Sequence, residues 1–184
     1  MKTFTKITSI FLLTLGLSVQ LAQAQSDTAS SAQNVYVELL GPGITFSGNY
    51  DSRFSKRQDG LGGRVGIGYA SDSDFSIFSI PLQVNYLLGN KGKYFEMGLG
   101  ATYVNFSGSD TYAFLGESST YFYTDNSSRR YRESTVLGTT TFGYRSQPVN
   151  GGFNFRGSIN PVFNSNGFYP FFFGVSFGYT FKNK

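Results

Sequence analysis

Seven charged residues, Glu38, Asp51, Arg53, Arg64, Glu96, Arg145 and Arg156, recur at alternate positions in stretches that otherwise switch between apolar and small residues. Two carboxyls at a suitable separation over a cleft can do general acid and base work. Glu38, Asp51 and Glu96 are the acids available for it here. The four arginines of the set argue against that use, because a guanidinium beside a carboxylate keeps it ionised. Mutual pairing is the chemistry these side chains favour. Composition closes other routes: without histidine the chain lacks the usual general base and the commonest metal ligand. Without cysteine it has no disulfide, no thiolate metal site and no lipid-modified cysteine. The expectation is no enzyme, no cofactor and no metal site.

The 184 residues carry a formal charge of +4, of which Lys2 and Lys6 sit at the N-terminus, and the remaining charges are scattered. That distribution leaves no footprint for nucleic acid. Lys2 and Lys6 precede an apolar stretch at 7–19 and the small-x-small triplet Ala22-Gln23-Ala24. This is the pattern of a secretory signal peptide over 1–24. Polar Thr8, Ser9, Thr14 and Ser18 interrupt the apolar run, whereas a membrane-anchoring helix needs roughly 18 or more apolar residues. Residues 25–33 then read as a polar, flexible leader, and 34–184 as one domain.

The elements that must position the seven charges are strands, since alternation with period two persists from 34 onward and no helical period appears. The pattern predicts eight strands, at 34–40, 44–54, 62–70, 77–88, 94–106, 134–145, 152–163 and 169–181. Gly41-Pro42-Gly43 is taken as a turn and not as a kink in a longer first strand, because bacterial barrels have even strand counts. One face of these strands is wholly free of Asp, Glu, Lys and Arg and includes Val35, Ile44, Phe46, Leu82, Leu99, Phe142 and Phe177. The other face holds the seven charges among Gly, Ser, Thr and Asn. A soluble barrel turns its apolar face inward and a membrane barrel turns it out to lipid. Burying the charged face as a soluble core would carry a severe desolvation cost. The fold class expected is therefore an all-β, antiparallel, up-and-down transmembrane barrel.

Aromatic residues concentrate at strand ends, with Tyr50, Phe54, Tyr86, Phe95, Tyr144, Phe153, Tyr179 and Phe181 at one rim and Tyr69, Phe78, Tyr103 and Phe163 at the other. They read as two interfacial girdles. The short connections 89–93 and 147–151 lie at the first rim and the long one, 107–133, at the second. Short turns of such barrels face the periplasm, so both termini are expected there and the long loop outside. An eight-stranded barrel is just wide enough for its own side chains to fill it. The seven charges are thus expected to form a plug, with Gly66, Gly68, Gly98, Gly100, Gly143, Gly174 and Gly178 making room for the arginines. The long loop carries Tyr112, Phe114, Tyr121, Phe122, Tyr123, Arg129, Arg130 and Arg132, aromatic surface and cations suited to a partner or to lipopolysaccharide phosphates.

Several segments resemble the small outer-membrane β-barrel proteins of Bacteroidota, with the general shape of OmpA-like and OmpX-like barrels. They are Val35-Tyr36-Val37-Glu38-Leu39, Asn49-Tyr50-Asp51-Ser52-Arg53-Phe54, Asn85-Tyr86-Leu87-Leu88-Gly89, Phe142-Gly143-Tyr144-Arg145-Ser146-Gln147-Pro148 and Gly151-Gly152-Phe153-Asn154-Phe155-Arg156. The closing Gly178-Tyr179-Thr180-Phe181 is similar to the aromatic-ended strand signal read by the barrel-assembly machinery, although Lys182-Asn183-Lys184 follows it. Asp27-Thr28-Ala29 resembles the O-glycosylation tripeptide of that group. The resemblance implies fold and location, and no activity.

The function expected is a structural or interaction barrel: a monomer in the bacterial outer membrane with a plugged lumen and a loop that contacts lipopolysaccharide or an extracellular protein. A narrow channel for ions or small solutes is the alternative. A soluble lipocalin-like binder is the third reading, disfavoured because the charges occupy the face that would enclose its ligand.

Overall fold

Residues 31–73, 75–108, 131–165 and 167–181 are described by a computed structural model. Strand segments are β1 (Gln33–Leu40), β2 (Phe46–Arg53), β3 (Gly60–Ser71), β4 (Phe75–Asn90), β5 (Lys93–Gly108), β6 (Tyr131–Ser146), β7 (Gly152–Ile159), β8 (Val162–Asn164), β9 (Gly167–Tyr169) and β10 (Phe173–Phe181). Neighbours pair antiparallel from β1 through β7, and β10 pairs with both β7 and β1. The sheet is therefore closed and has no long free edge. Because β8 continues β7 and β9 leads into β10, the wall is an eight-stranded antiparallel barrel.

Strands 152–163 and 169–181, expected to be continuous, are each interrupted. Pro161 has no N–H to give to a ladder, yet its carbonyl accepts the Thr140 N–H at 2.9 Å, which keeps β6 in register across the break. On the returning side Asn160 N–H bonds the Phe172 carbonyl while Val162 pairs with Tyr169, so the chain holds one extra residue around Pro170 and Phe171. This is a bulge. It lets Phe168 and Phe171 both face outward, at 63 % and 76 % exposed.

Strand alternation sorts the two faces. Exposed on the outside are Val35, Phe46, Leu82, Leu99, Phe142 and Phe177, together with the first-rim aromatics Tyr50, Phe54, Tyr86, Phe95, Tyr144, Phe153, Tyr179 and Phe181. Tyr69, Tyr103 and Phe163 are exposed at the opposite rim, where Phe78 is half-buried. The two-residue turn Lys91-Gly92 has positive φ at both positions, 52° and 81°, the twist that suits a tight hairpin. Folding begins slightly before the predicted leader boundary: Gln33 opens β1, and Ala32 is fully buried, exchanging backbone bonds with Arg53 and Arg57. The long connection is shorter than 107–133, since β5 runs to Gly108 and β6 starts at Tyr131.

Candidate functional site

The interior is filled in two storeys. Nearer the rim of short turns, Asp51 of β2 and Glu96 of β5 are shared among three arginines. Arg145 reaches Asp51 at 2.9 and 3.0 Å and Glu96 at 3.0 and 3.1 Å. Arg53 donates to Asp51 at 2.7 Å, and the Arg156 Nε lies 2.8 Å from Glu96. Asn85 donates to both carboxylates, at 2.6 and 3.1 Å. Arg145 and Arg156 are directly opposite one another in the β6–β7 ladder, a like-charge pairing that would be unfavourable alone. The two carboxylates lying against both are what make it tolerable.

The network continues upward through Tyr36. Its hydroxyl accepts from Arg156 at 2.7 Å, and its ring lies 4.3 Å from that guanidinium and 5.4 Å from that of Arg64. Arg64 forms a forked pair with Glu38 and donates to Asn49 at 2.9 and 3.1 Å. All seven sequence-picked charges are thus brought into one lumen, none more than 3 % exposed. Acids and arginines all have partners, and the buried Arg53 Nε is one of few interior polar atoms without one among the described residues. Space remaining between Asn34, Tyr36, Arg145, Asn154 and Arg156 does not admit a water molecule. Below them Gln147 accepts from Asn34 at 3.1 Å and donates to the Gln58 carbonyl at 3.2 Å, linking the β6–β7 turn to the β2–β3 connection across the mouth.

The upper storey departs from expectation. Gly41-Pro42-Gly43 does join β1 to β2, but as a 3₁₀ turn folded into the lumen, with all three residues buried. Ser79 donates to the Gly43 carbonyl and Thr102 to the Pro42 carbonyl, each at 2.7 Å. These bonds satisfy backbone acceptors that would otherwise be buried and unpaired. Gly41, at φ +66°, rests on Glu38, and a Cβ there would come 2.8 Å from the Glu38 carboxyl carbon. Ile44, placed on the lipid face by its parity, is instead 2 % exposed. It belongs to the inserted turn, at φ +72°, where strand parity does not apply. It meets Ile77, Val104, Leu137 and Val162 in an apolar cluster that caps the lumen below the long-loop rim.

The interior glycines also differ from expectation. Gly66 makes room for Asn49, Gly98 for Gln83, Gly178 for Tyr36 and Gly174 for the inserted Gly41. Gly68 accommodates Ser79 and the Gly43 carbonyl, Gly100 the β4 backbone and Gln83, and Gly143 the β7 backbone and Ser158. Among the described glycines, the one lying against an arginine is Gly62, beside Arg53. Strand parity alone identified the charges. Their neutral partners Asn34, Asn49, Asn85 and Gln147, equally buried, were missed, although the same parity marks all but Gln147. Of the loop residues, Tyr112, Phe114, Tyr121, Phe122, Tyr123, Arg129 and Arg130 lie outside the described residues. Arg132 is exposed on β6, opposite Ser107 at the upper rim.

Fold and interior together define a small closed barrel of the outer-membrane type, polar within and apolar without. It is similar in structure to the N-terminal β-barrel domain of Pseudomonas aeruginosa OprF, at TM-score 0.56 and 12 % identity, over 83 % of this chain and 98 % of that one. Neisserial surface protein A matches at TM-score 0.45 and 14 % identity over 83 % and 96 % of the two chains. The Yersinia pestis outer membrane protein Ail matches at 0.44 and 14 % over 83 % and 99 %. No family model and no curated protein sequence matches the chain.

Proposed function

We propose that this chain is an integral outer-membrane barrel whose sealed lumen makes it an anchor and not a conduit. One observation carries the reading: the charged side chains point inward and pair, while an apolar belt that includes Leu82 and Leu99, each 63 % exposed, faces out. In water that belt would be an exposed patch far beyond what a soluble monomer shows; in hydrocarbon it is the favourable surface. The signal-like residues 1–24 and the segments resembling Bacteroidota barrels support a bacterial outer-membrane address. β1 starts and β10 ends at the rim of short turns, which supports periplasmic termini. Arginine pairing of all three lumen acids speaks against acid and base catalysis.

With the lumen filled, interaction falls to the rim opposite the termini. Exposed Arg132 there, together with the aromatic and cationic residues of the long connection, favours contact with lipopolysaccharide phosphates or an extracellular protein. A narrow channel would need both storeys to move, and a lipocalin-like cup would need an interior free for ligand. The membrane reading is tested by folding Leu99→Arg into lipid vesicles. A cost of roughly 2 to 4 kcal/mol is expected for arginine near the midplane, and an unchanged folding titration would contradict it.

A further inference from the structure

The outer wall is not uniformly convex. Across β2 to β5 two registered rows, Tyr50-Val65-Leu82-Ala101 and Ser52-Gly63-Val84-Leu99, place small residues beside large ones. The Phe54 ring folds over Gly63, coming 3.0 Å from where a Cβ would sit. Ser52, Gly63 and Ala101 are the small residues in the lining of a shallow, outward-open concavity of about 670 Å³, which Phe54, Leu82, Val84 and Leu99 also line. Its lining is almost wholly apolar.

Charge at the strand ends is distributed to match. The turns beneath these same strands carry exposed Lys56, Lys91 and Lys93, whereas the β6–β7 turn at 147–151 has no charge. Arg57, in the same connection as Lys56, is already held by Asp59 at 2.8 Å, which raises its pKa further and offsets its charge. Lys93 and Leu99 are six residues apart on β5, about 20 Å along a strand. At the usual tilt this is about 15 Å of depth, half the thickness of a bilayer's hydrocarbon core.

We propose that this wall binds one anionic phospholipid of the surrounding bilayer, with an acyl chain in the groove and its phosphate against Lys56, Lys91 and Lys93. The proposal rests on the membrane reading above. An acyl chain is the occupant that an apolar groove at that depth meets, and the lysines select among lipids by headgroup charge.

The test reconstitutes the full chain in phosphatidylcholine vesicles containing a minority of phosphatidylglycerol, then counts retained lipids by native mass spectrometry. Wild type is expected to retain one phosphatidylglycerol. Ala101→Phe, which fills the groove without adding charge, should lose it, whereas Val175→Phe, outward on β10 across the barrel, should not. Replacing Lys56, Lys91 and Lys93 by Gln should lower the preference for the anionic lipid by about tenfold while chain retention persists. Equal retention by Ala101→Phe and wild type would overturn the site, as would a protein dimer abolished by Ala101→Phe, which would assign the groove to a second copy. Failure of wild type to float with vesicles would overturn the membrane reading and the site with it; flotation without lipid preference would overturn the site alone.

Discussion

The two storeys of the lumen are filled by different physics. In the lower one, carboxylates and guanidiniums from β2, β5, β6 and β7 are taken out of water and compensate one another. In the upper one, backbone itself is the filler: a three-residue turn is pushed inside, its carbonyls are capped by Ser79 and Thr102, and an apolar cluster around Ile44 covers it. Removing one member of the lower network leaves uncompensated charge, whereas trimming the upper storey leaves only a void or one unpaired acceptor. The lower storey should therefore be the more fragile to single substitutions.

The largest expected effect is that of Asp51→Ala, which leaves Arg53, Arg145 and Arg156 facing Glu96 alone. Breaking a buried pair in this way costs roughly 3 to 5 kcal/mol, measurable by urea unfolding from lipid vesicles. A loss below that of the upper-storey variants would break the comparison. Ile44→Ala should cost about 2 kcal/mol, near the low end for such truncations, because alanine also relieves the strain of a β-branched residue at positive φ. The same unfolding assay reads it.

These two residues also mark what the sequence could disclose. Asp51 and its arginine partners were legible because a strand puts every second residue on one face, so inward charges announce themselves against an apolar outer face. Ile44 was not, because parity holds only within a strand. Nothing in Gly41-Pro42-Gly43 distinguishes an exposed hairpin from one folded inward. The turn's direction is decided by distant groups, Ser79 on β4 and Thr102 on β5, that meet it only once the barrel has closed. The break at Pro161 belongs to the same class: proline forecasts a lost donor, but the compensating bulge near Phe171 depends on cross-strand register.

Smaller effects sharpen the contrast. Ser79→Ala removes one cap from the inserted turn and should cost about 1 kcal/mol; a loss equal to that of Asp51→Ala would mean that the upper storey is as tightly coupled as the lower. Replacing residues 109–130 by a short Gly-Ser linker should leave urea stability unchanged, because β5 and β6 and both storeys are kept whole. The proposed binding to lipopolysaccharide or to an extracellular protein should fall in the same variant, and undiminished binding would sink the assignment of interaction to the upper rim.

Conductance tests the sealed lumen most directly. Purified protein incorporated into planar bilayers should give no stable single-channel steps, as the proposed plug of charge network and inserted turn requires. Regular steps of the size given by a general porin, seen with the unmodified chain, would contradict the account.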